Sequence, residues 1–182
     1  MTGLKKYRKQ IQIAILSVVL IIGLYTIGSS LFAEKDSFPQ AGEKAPDFTL
    51  RGLDGELHQL SDYHGQAVLL NFWGTFCPPC VDETPLLQQY YEQYKDQGLV
   101  ILGVNLNEST VTVQGFVRQF SVTYPILLDK EQVRKQYGVN QFPTTFFISP
   151  DGMIVEKWIG ELREHHLKPR VERLVPRKDD TA

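Results

Sequence analysis

The sequence is poor in cysteine. Of its 182 residues only Cys77 and Cys80 are cysteines, and two residues separate them. A zinc site built from four cysteines and a framework of several disulfides are therefore excluded. Because no other thiol competes for this pair, it forms either one structural disulfide or a redox centre.

An excess of positive charge is also lacking. Lysine and arginine together number 19, against 21 aspartates and glutamates, which gives a net charge of −2. Four of the positive charges lie in residues 1–10, so the remaining residues carry −6. This charge balance argues against a nucleic-acid-binding domain after residue 10. With 42% hydrophobic and 22% charged residues, the composition is that of one ordinary globular domain.

Charged side chains are absent from residues 11–32. About 22 apolar residues suffice for a helix that crosses a bilayer, so this segment predicts a transmembrane signal-anchor. The basic segment 1–10 is expected to stay in the cytoplasm, which places the tether at 33–44 and everything after it outside the cell membrane. The alternative is a signal peptide that is cleaved near Gly28-Ser29-Ser30.

Residues 45–175 form the predicted globular domain, and 176–182 form a polar tail. Strand-like apolar runs alternate with helical apolar spacings, which predicts an α/β domain with a mixed central sheet flanked by helices. An Asp-Gly turn predicts a hairpin at the start of the domain. The predicted strands lie at 48–50, 57–59, 68–73, 99–104, 125–128, 144–148 and 154–159, and the predicted helices at 79–95, 113–120, 131–137 and 162–174.

The cysteines lie between a predicted buried strand and a predicted helix. A helix N-terminus carries unpaired N–H groups and partial positive charge, which stabilise a thiolate on the first cysteine. Cys77 is therefore expected to be the exposed nucleophile. Cys80, one turn into the helix, is expected to be the partly buried resolving thiol. A purely structural disulfide across so short a loop would add little stability, which favours the redox interpretation.

A family resemblance rests on the run Phe72-Trp73-Gly74-Thr75-Phe76-Cys77-Pro78-Pro79-Cys80, on Pro85, and on Phe142-Pro143-Thr144. Together these motifs resemble the thioredoxin superfamily. The opening at 45–48, the hairpin after it and an extra strand-helix insertion at 105–128 resemble its membrane-anchored ResA and TlpA branch. The resemblance implies a thioredoxin-like fold and a thiol-disulfide oxidoreductase.

The resemblance also implies roles for residues around the cysteines. A cis peptide is expected between Phe142 and Pro143, and these two residues with Trp73 are expected to bind substrate. Asn71 occupies the place where thioredoxins resemble one another in having a buried acid, and an amide cannot accept a proton as that acid does. Glu83 matches the active-site glutamate of the ResA branch and is the expected base. The alternative is that Glu83 is an exposed acid in the first turn of the helix, where the helix dipole favours negative charge.

The residues between the cysteines, Pro78 and Pro79, depart from the Glu-Pro of the ResA branch. Two N–H donors are lost, so the thiolate of Cys77 is expected to be less stabilised than in a strong oxidant. Since a residue before proline avoids helical geometry, we expect Pro78 outside the helix and Pro79 at its first position.

The resemblance implies a reductant that needs no cofactor. Its implied substrate is the haem-attachment Cys-x-x-Cys of an apocytochrome c, and its implied electron donor is a membrane thiol transporter of the CcdA kind. A sporulation-type reductase of envelope proteins is the close alternative. A copper chaperone using His165 or His166 is a more distant one, since such chaperones have three residues between their cysteines. A peroxiredoxin is disfavoured because Leu70 and Gly74 occupy the proline and hydroxyl positions of its motif.

Overall fold

The computed structural model describes residues 3–31 and 38–175, which form two separate units. The first unit contains one helix, α1 (Gly3–Leu31), which covers all but the last residue of the predicted membrane span. Within the two described ranges, no helix combines the length and the apolarity needed to cross a membrane. Residues 33–37 of the predicted tether and the whole of the predicted tail, residues 176–182, lie outside the described residues.

The second unit is built on a seven-stranded mixed sheet with the strand order β2-β1-β5-β4-β3-β6-β7. The central strand β3 pairs in parallel with β4 and antiparallel with β6, while β1 and β2 form the predicted hairpin. The strands are β1 (Thr49–Gly52), β2 (Leu57–Gln59), β3 (Ala67–Trp73), β4 (Leu99–Leu106), β5 (Ile126–Asp129), β6 (Thr144–Ile148) and β7 (Ile154–Ile159).

Four helices flank this sheet, and two short 3-10 turns (Leu60–Tyr63 and Lys95–Gln97) join elements. The helices are α2 (Pro78–Tyr94), α3 (Thr110–Phe120), α4 (Gln132–Gln136) and α5 (Glu164–Leu174). Side chains of α2, α3 and α5 pack in one core on one face of the sheet, whereas α4 contributes to a second core on the other face. Because both faces are covered, β3 and β4 are buried along their whole length, which explains why their sequences are apolar apart from one asparagine in each.

The expected start of the helix that follows Cys77 is wrong. Helix α2 begins at Pro78, so both prolines are helical and Cys77 is the N-cap residue. Proline fits the first turn of a helix because its φ is already near the helical value and the N–H it lacks has no intrahelical partner there. This preference outweighs the restriction that Pro79 places on the residue before it.

Candidate active site

The loop from Gly74 to Phe76 carries the chain from the end of β3 to the start of α2. The backbone N–H of Cys77 donates to the carbonyl of Gly74 at 3.2 Å. A Cβ atom on Gly74 would lie 2.4 Å from the Phe76 ring, so a side chain at this position would require that exposed ring to shift. Glu108, just beyond β4, accepts hydrogen bonds from the backbone N–H of Thr75 at 2.8 Å and from its hydroxyl. No local sequence pattern indicates this contact, because Glu108 and Thr75 are 33 residues apart.

Cys77 and Cys80 are joined in a disulfide at the N-terminus of α2. The carbonyl of Cys77 accepts from the N–H groups of Cys80 and Val81 at 3.0 and 3.1 Å. Cys77 was expected to be exposed, but it is 7% exposed, and Cys80 is 1% exposed. The expectation fails because Cys77, in this oxidised form, is packed into the core that contains Trp73. In this oxidised form, a partner thiolate would therefore meet the disulfide at Cys77, the more exposed of the two residues.

Glu83 lies one turn after Cys80 and is 1% exposed, so it is not a surface acid of the first turn. Its Oε1 accepts from Asn71 Nδ2 at 2.8 Å, and its Oε2 accepts from the backbone N–H of Leu162 at 2.7 Å. Burial, and to a smaller extent the charge of Glu161, raise the pKa of Glu83 to about 7 against the opposing effect of these two hydrogen bonds. The side chain is thus a fixed carboxyl that can hold or release a proton near neutral pH.

Asn71 holds this carboxyl from the middle of the sheet. Its Nδ2 also donates to the hydroxyl of Thr145 on β6 at 3.0 Å, and both side chains are buried. The amide therefore positions Glu83 rather than accepting a proton. Leu162, the third partner in the site, comes from the segment between β7 and α5 and is 79 residues away from Glu83 in the sequence.

The three residues expected to bind substrate differ in their surroundings. The Phe142-Pro143 peptide is cis, as expected, and Phe142 is partly buried. Phe76, which the sequence did not single out, is 62% exposed, and its ring meets the Phe142 ring edge-on at 6.3 Å. Trp73, in contrast, is 3% exposed, and its ring packs on Phe116 with 4.7 Å between the ring centroids. It therefore lies in the core beside the cysteines and not on the surface.

The histidines lie in other contacts. His58 is held between Tyr63 and Asp54 at 2.6 and 3.0 Å. His165 and His166 pack against each other on α5, with ring centroids 3.9 Å apart. In the part of the chain that the structure describes, no group of three or more histidine, cysteine, aspartate or glutamate side chains is arranged to hold a metal ion.

Comparison with known proteins gives consistent results. The model of the AhpC/TSA family matches residues 41–157. The chain is 38% identical to the thiol-disulfide oxidoreductase ResA of Geobacillus thermodenitrificans over 175 residues, which covers 95% of this chain and 100% of that protein. It is 40% identical to ResA of Bacillus subtilis over 161 residues, covering 88% and 89% of the two chains.

Two solved structures show the same fold. A putative thiol:disulfide interchange protein DsbE from Chlorobium tepidum superposes with a TM-score of 0.71 at 31% identity, covering 77% of this chain and all of that one. StoA from Bacillus subtilis superposes with a TM-score of 0.61 at 28% identity, covering 69% and 96%. The second unit therefore has the thioredoxin-like fold that the motifs predicted.

Proposed function

Since the chain belongs to the AhpC/TSA family and, within it, to the ResA-type thiol-disulfide oxidoreductases, we propose that it reduces disulfides outside the cytoplasm. Its proposed substrate is the oxidised haem-attachment Cys-x-x-Cys of an apocytochrome c. The observation that carries the proposal is the buried carboxyl of Glu83, which is fixed one helical turn from the resolving thiol.

The reducing direction is supported by the electrostatics around the cysteines. A thiol-disulfide protein becomes a strong oxidant when its surroundings stabilise the thiolate. Here the first two helical residues are Pro78 and Pro79, which have no N–H to point at Cys77. The carboxylate of Glu83 also repels a thiolate on Cys80. Both features favour the disulfide form of the enzyme, which is the form left after it has given up its electrons.

The reaction takes place in two exchanges. The Cys77 thiolate attacks one sulfur of the substrate disulfide, an enzyme-substrate disulfide forms, and the other substrate sulfur leaves as a thiolate. Glu83 in its carboxylate form then accepts the proton of the Cys80 thiol, and Cys80 attacks the Cys77 sulfur. The second substrate sulfur leaves, so the substrate gains two electrons and the enzyme is left with its Cys77–Cys80 disulfide. A dithiol on a CcdA-like membrane transporter reverses these steps to restore the reduced enzyme.

The N-terminal segment is proposed to anchor the chain in the cell membrane, with the second unit on the extracytoplasmic side. Residues 11–22 of α1 are exposed and carry no charge, and the basic residues lie before them. The full-length chain should remain with membranes after alkaline carbonate extraction. Protease added to intact spheroplasts should digest residues 38–175. Release by carbonate would contradict the anchor, and protection from protease would contradict the orientation.

The proposed substrate is tested by capture in the native host. Cys80→Ala keeps the attacking thiol and removes the resolving one, so it should accumulate an enzyme-substrate disulfide that contains an apocytochrome c. Cys77→Ala is the matched control and should capture nothing. Equal capture by the two variants would contradict the assignment of Cys77 as the attacking thiol and Cys80 as the resolving thiol.

The second candidate, a sporulation-type reductase of envelope proteins, is supported only in part by the lower similarity to StoA. The same capture separates the two. If Cys80→Ala retains another envelope protein and no apocytochrome c, the second candidate replaces the first. The disulfide chemistry at Cys77 and Cys80 is common to both.

A further inference from the structure

The segment between β7 and α5 brings a second carboxylate close to Glu83. The N–H of Leu162 donates to Glu83 Oε2 at 2.7 Å, and Glu161 is the residue immediately before it. The carbonyl of Glu161 accepts from Trp158 Nε1 at 3.4 Å, which holds this part of the segment. Standard bond lengths then keep the Glu161 carboxylate within about 9 Å of the Glu83 carboxyl.

An arginine at the surface neutralises this second carboxylate. Arg163 Nε and Nη2 donate to the two oxygens of Glu161 at 3.1 and 3.2 Å, a bidentate pairing. The side chain of Glu161 is 28% exposed, whereas that of Arg163 is 65% exposed. The negative member of the pair thus lies on the side of the active site, and the positive member lies in solvent.

We propose that the Glu161–Arg163 ion pair controls the pH at which Glu83 can accept the proton of the resolving thiol. Both members of the pair are therefore positioning residues. This inference rests on the proposed role of Glu83 as the base. A negative neighbour disfavours the carboxylate form of Glu83, and a positive one favours it. Glu161 and Arg163 should therefore act in opposite directions.

Few other charged groups face Glu83 from the elements packed around it. Asn71 and Thr145 from the sheet are neutral, and Cys80 from its own helix is in the disulfide. Tyr124, which precedes β5, is a buried phenol, and burial raises its pKa, so it stays neutral in the physiological range. Asp82 on α2 is exposed and acts on Arg163. On the α5 side, Glu164 accepts a hydrogen bond from Tyr90.

The test is a direct titration of Glu83 in the oxidised full-length protein in detergent. Glutamate carboxyl carbons labelled with carbon-13 report each midpoint by NMR, and Glu83→Gln identifies the signal. Glu161→Gln should lower the Glu83 midpoint and Arg163→Gln should raise it, each by about half a pH unit, or about threefold in the proton equilibrium. Arg163→Lys keeps the charge and should restore most of the wild-type midpoint.

The matched control is Glu131→Gln at the residue immediately before α4. Glu131 is also a carboxylate in an ion pair, with Lys135 at 3.0 Å, but it is not among the groups that act on Glu83. This variant should leave the Glu83 midpoint unchanged. Midpoints that stay fixed in both Glu161→Gln and Arg163→Gln, or that move in the same direction, would overturn the inference.

A second measurement distinguishes this inference from the proposed function. The acidic limb of the pH profile for substrate reduction should follow the Glu83 midpoint in all variants. If the Glu83 midpoint moves as expected but the pH profile does not, the base role fails while the electrostatic coupling stands. If Glu83→Gln abolishes the acidic limb and the ion-pair variants leave the Glu83 midpoint unchanged, the coupling alone is wrong.

Discussion

Replacing Glu83 with glutamine should change how the stability of the oxidised protein depends on pH. The ordinary pKa of a glutamate is 4.5, and burial raises that of Glu83 to about 7 in the folded state. Between these two values the folded protein holds a proton that the unfolded chain has released. The free energy of unfolding of the wild type therefore falls as the pH rises through this window and levels off above it.

The magnitude follows from the two pKa values. Their difference of about 2.5 pH units corresponds to about 3 kcal/mol, at about 1.36 kcal/mol for each unit. Because Glu83 is 1% exposed, solvent screening reduces this energy little. Glutamine has one acceptor oxygen, so either Asn71 or the N–H of Leu162 loses its partner, at a cost of about 1–3 kcal/mol. That cost does not vary with pH and leaves the slope unaffected.

The assay is urea unfolding of the disulfide form, without reductant, at several values between pH 4.5 and pH 8. The difference in unfolding free energy between Glu83→Gln and wild type should move by about 3 kcal/mol in favour of the variant as the pH rises across this range. Other titrating groups affect both proteins equally and cancel. A difference that stays constant with pH would show that Glu83 has an ordinary pKa and would remove the reason for assigning it as the base.

Much of the fold could be predicted because its signals are local. The last two strands, at 144–148 and 154–159, have the predicted bounds. The turn between them contains proline and glycine, which determines where the first strand ends and where the second begins. The final helix was expected from residue 162 but begins at Glu164. Leu162 lies before the N-cap residue Arg163, whose backbone is extended, and its N–H is bound to Glu83, a contact across 79 residues that no local pattern reveals.

The candidate site could be predicted only in part, for the same reason. Cys77, Cys80 and Glu83 occupy one stretch of chain, so their spacing and the family resemblance were enough to select them. Glu161 and Glu108 are ordinary charged residues in the sequence. They reach the site because β4 and β7 end near the start of α2, and this proximity arises from the strand order rather than from any motif.

Three further variants test separate parts of the structure. Gly103→Ala would place a Cβ 2.7 Å from the end of Ile126, so it should destabilise the fold by about 1–3 kcal/mol in thermal unfolding, and an unchanged midpoint would refute this packing. Tyr137→Phe removes a 2.6 Å hydrogen bond to the carbonyl of Pro46 and should cost about 1–3 kcal/mol; a loss well below this would mean that water replaces the hydroxyl. Finally, in the reduced enzyme a Glu83 carboxylate lies about 5 Å from a Cys80 thiolate. At an effective dielectric constant of about 20, the two charges repel by about 3 kcal/mol, which raises the thiol pKa by about two units at most. Glu83→Gln should therefore lower the thiol pKa measured by pH-dependent alkylation, and if its alkylation curve superimposes on that of the wild type, Glu83 does not act on the cysteines.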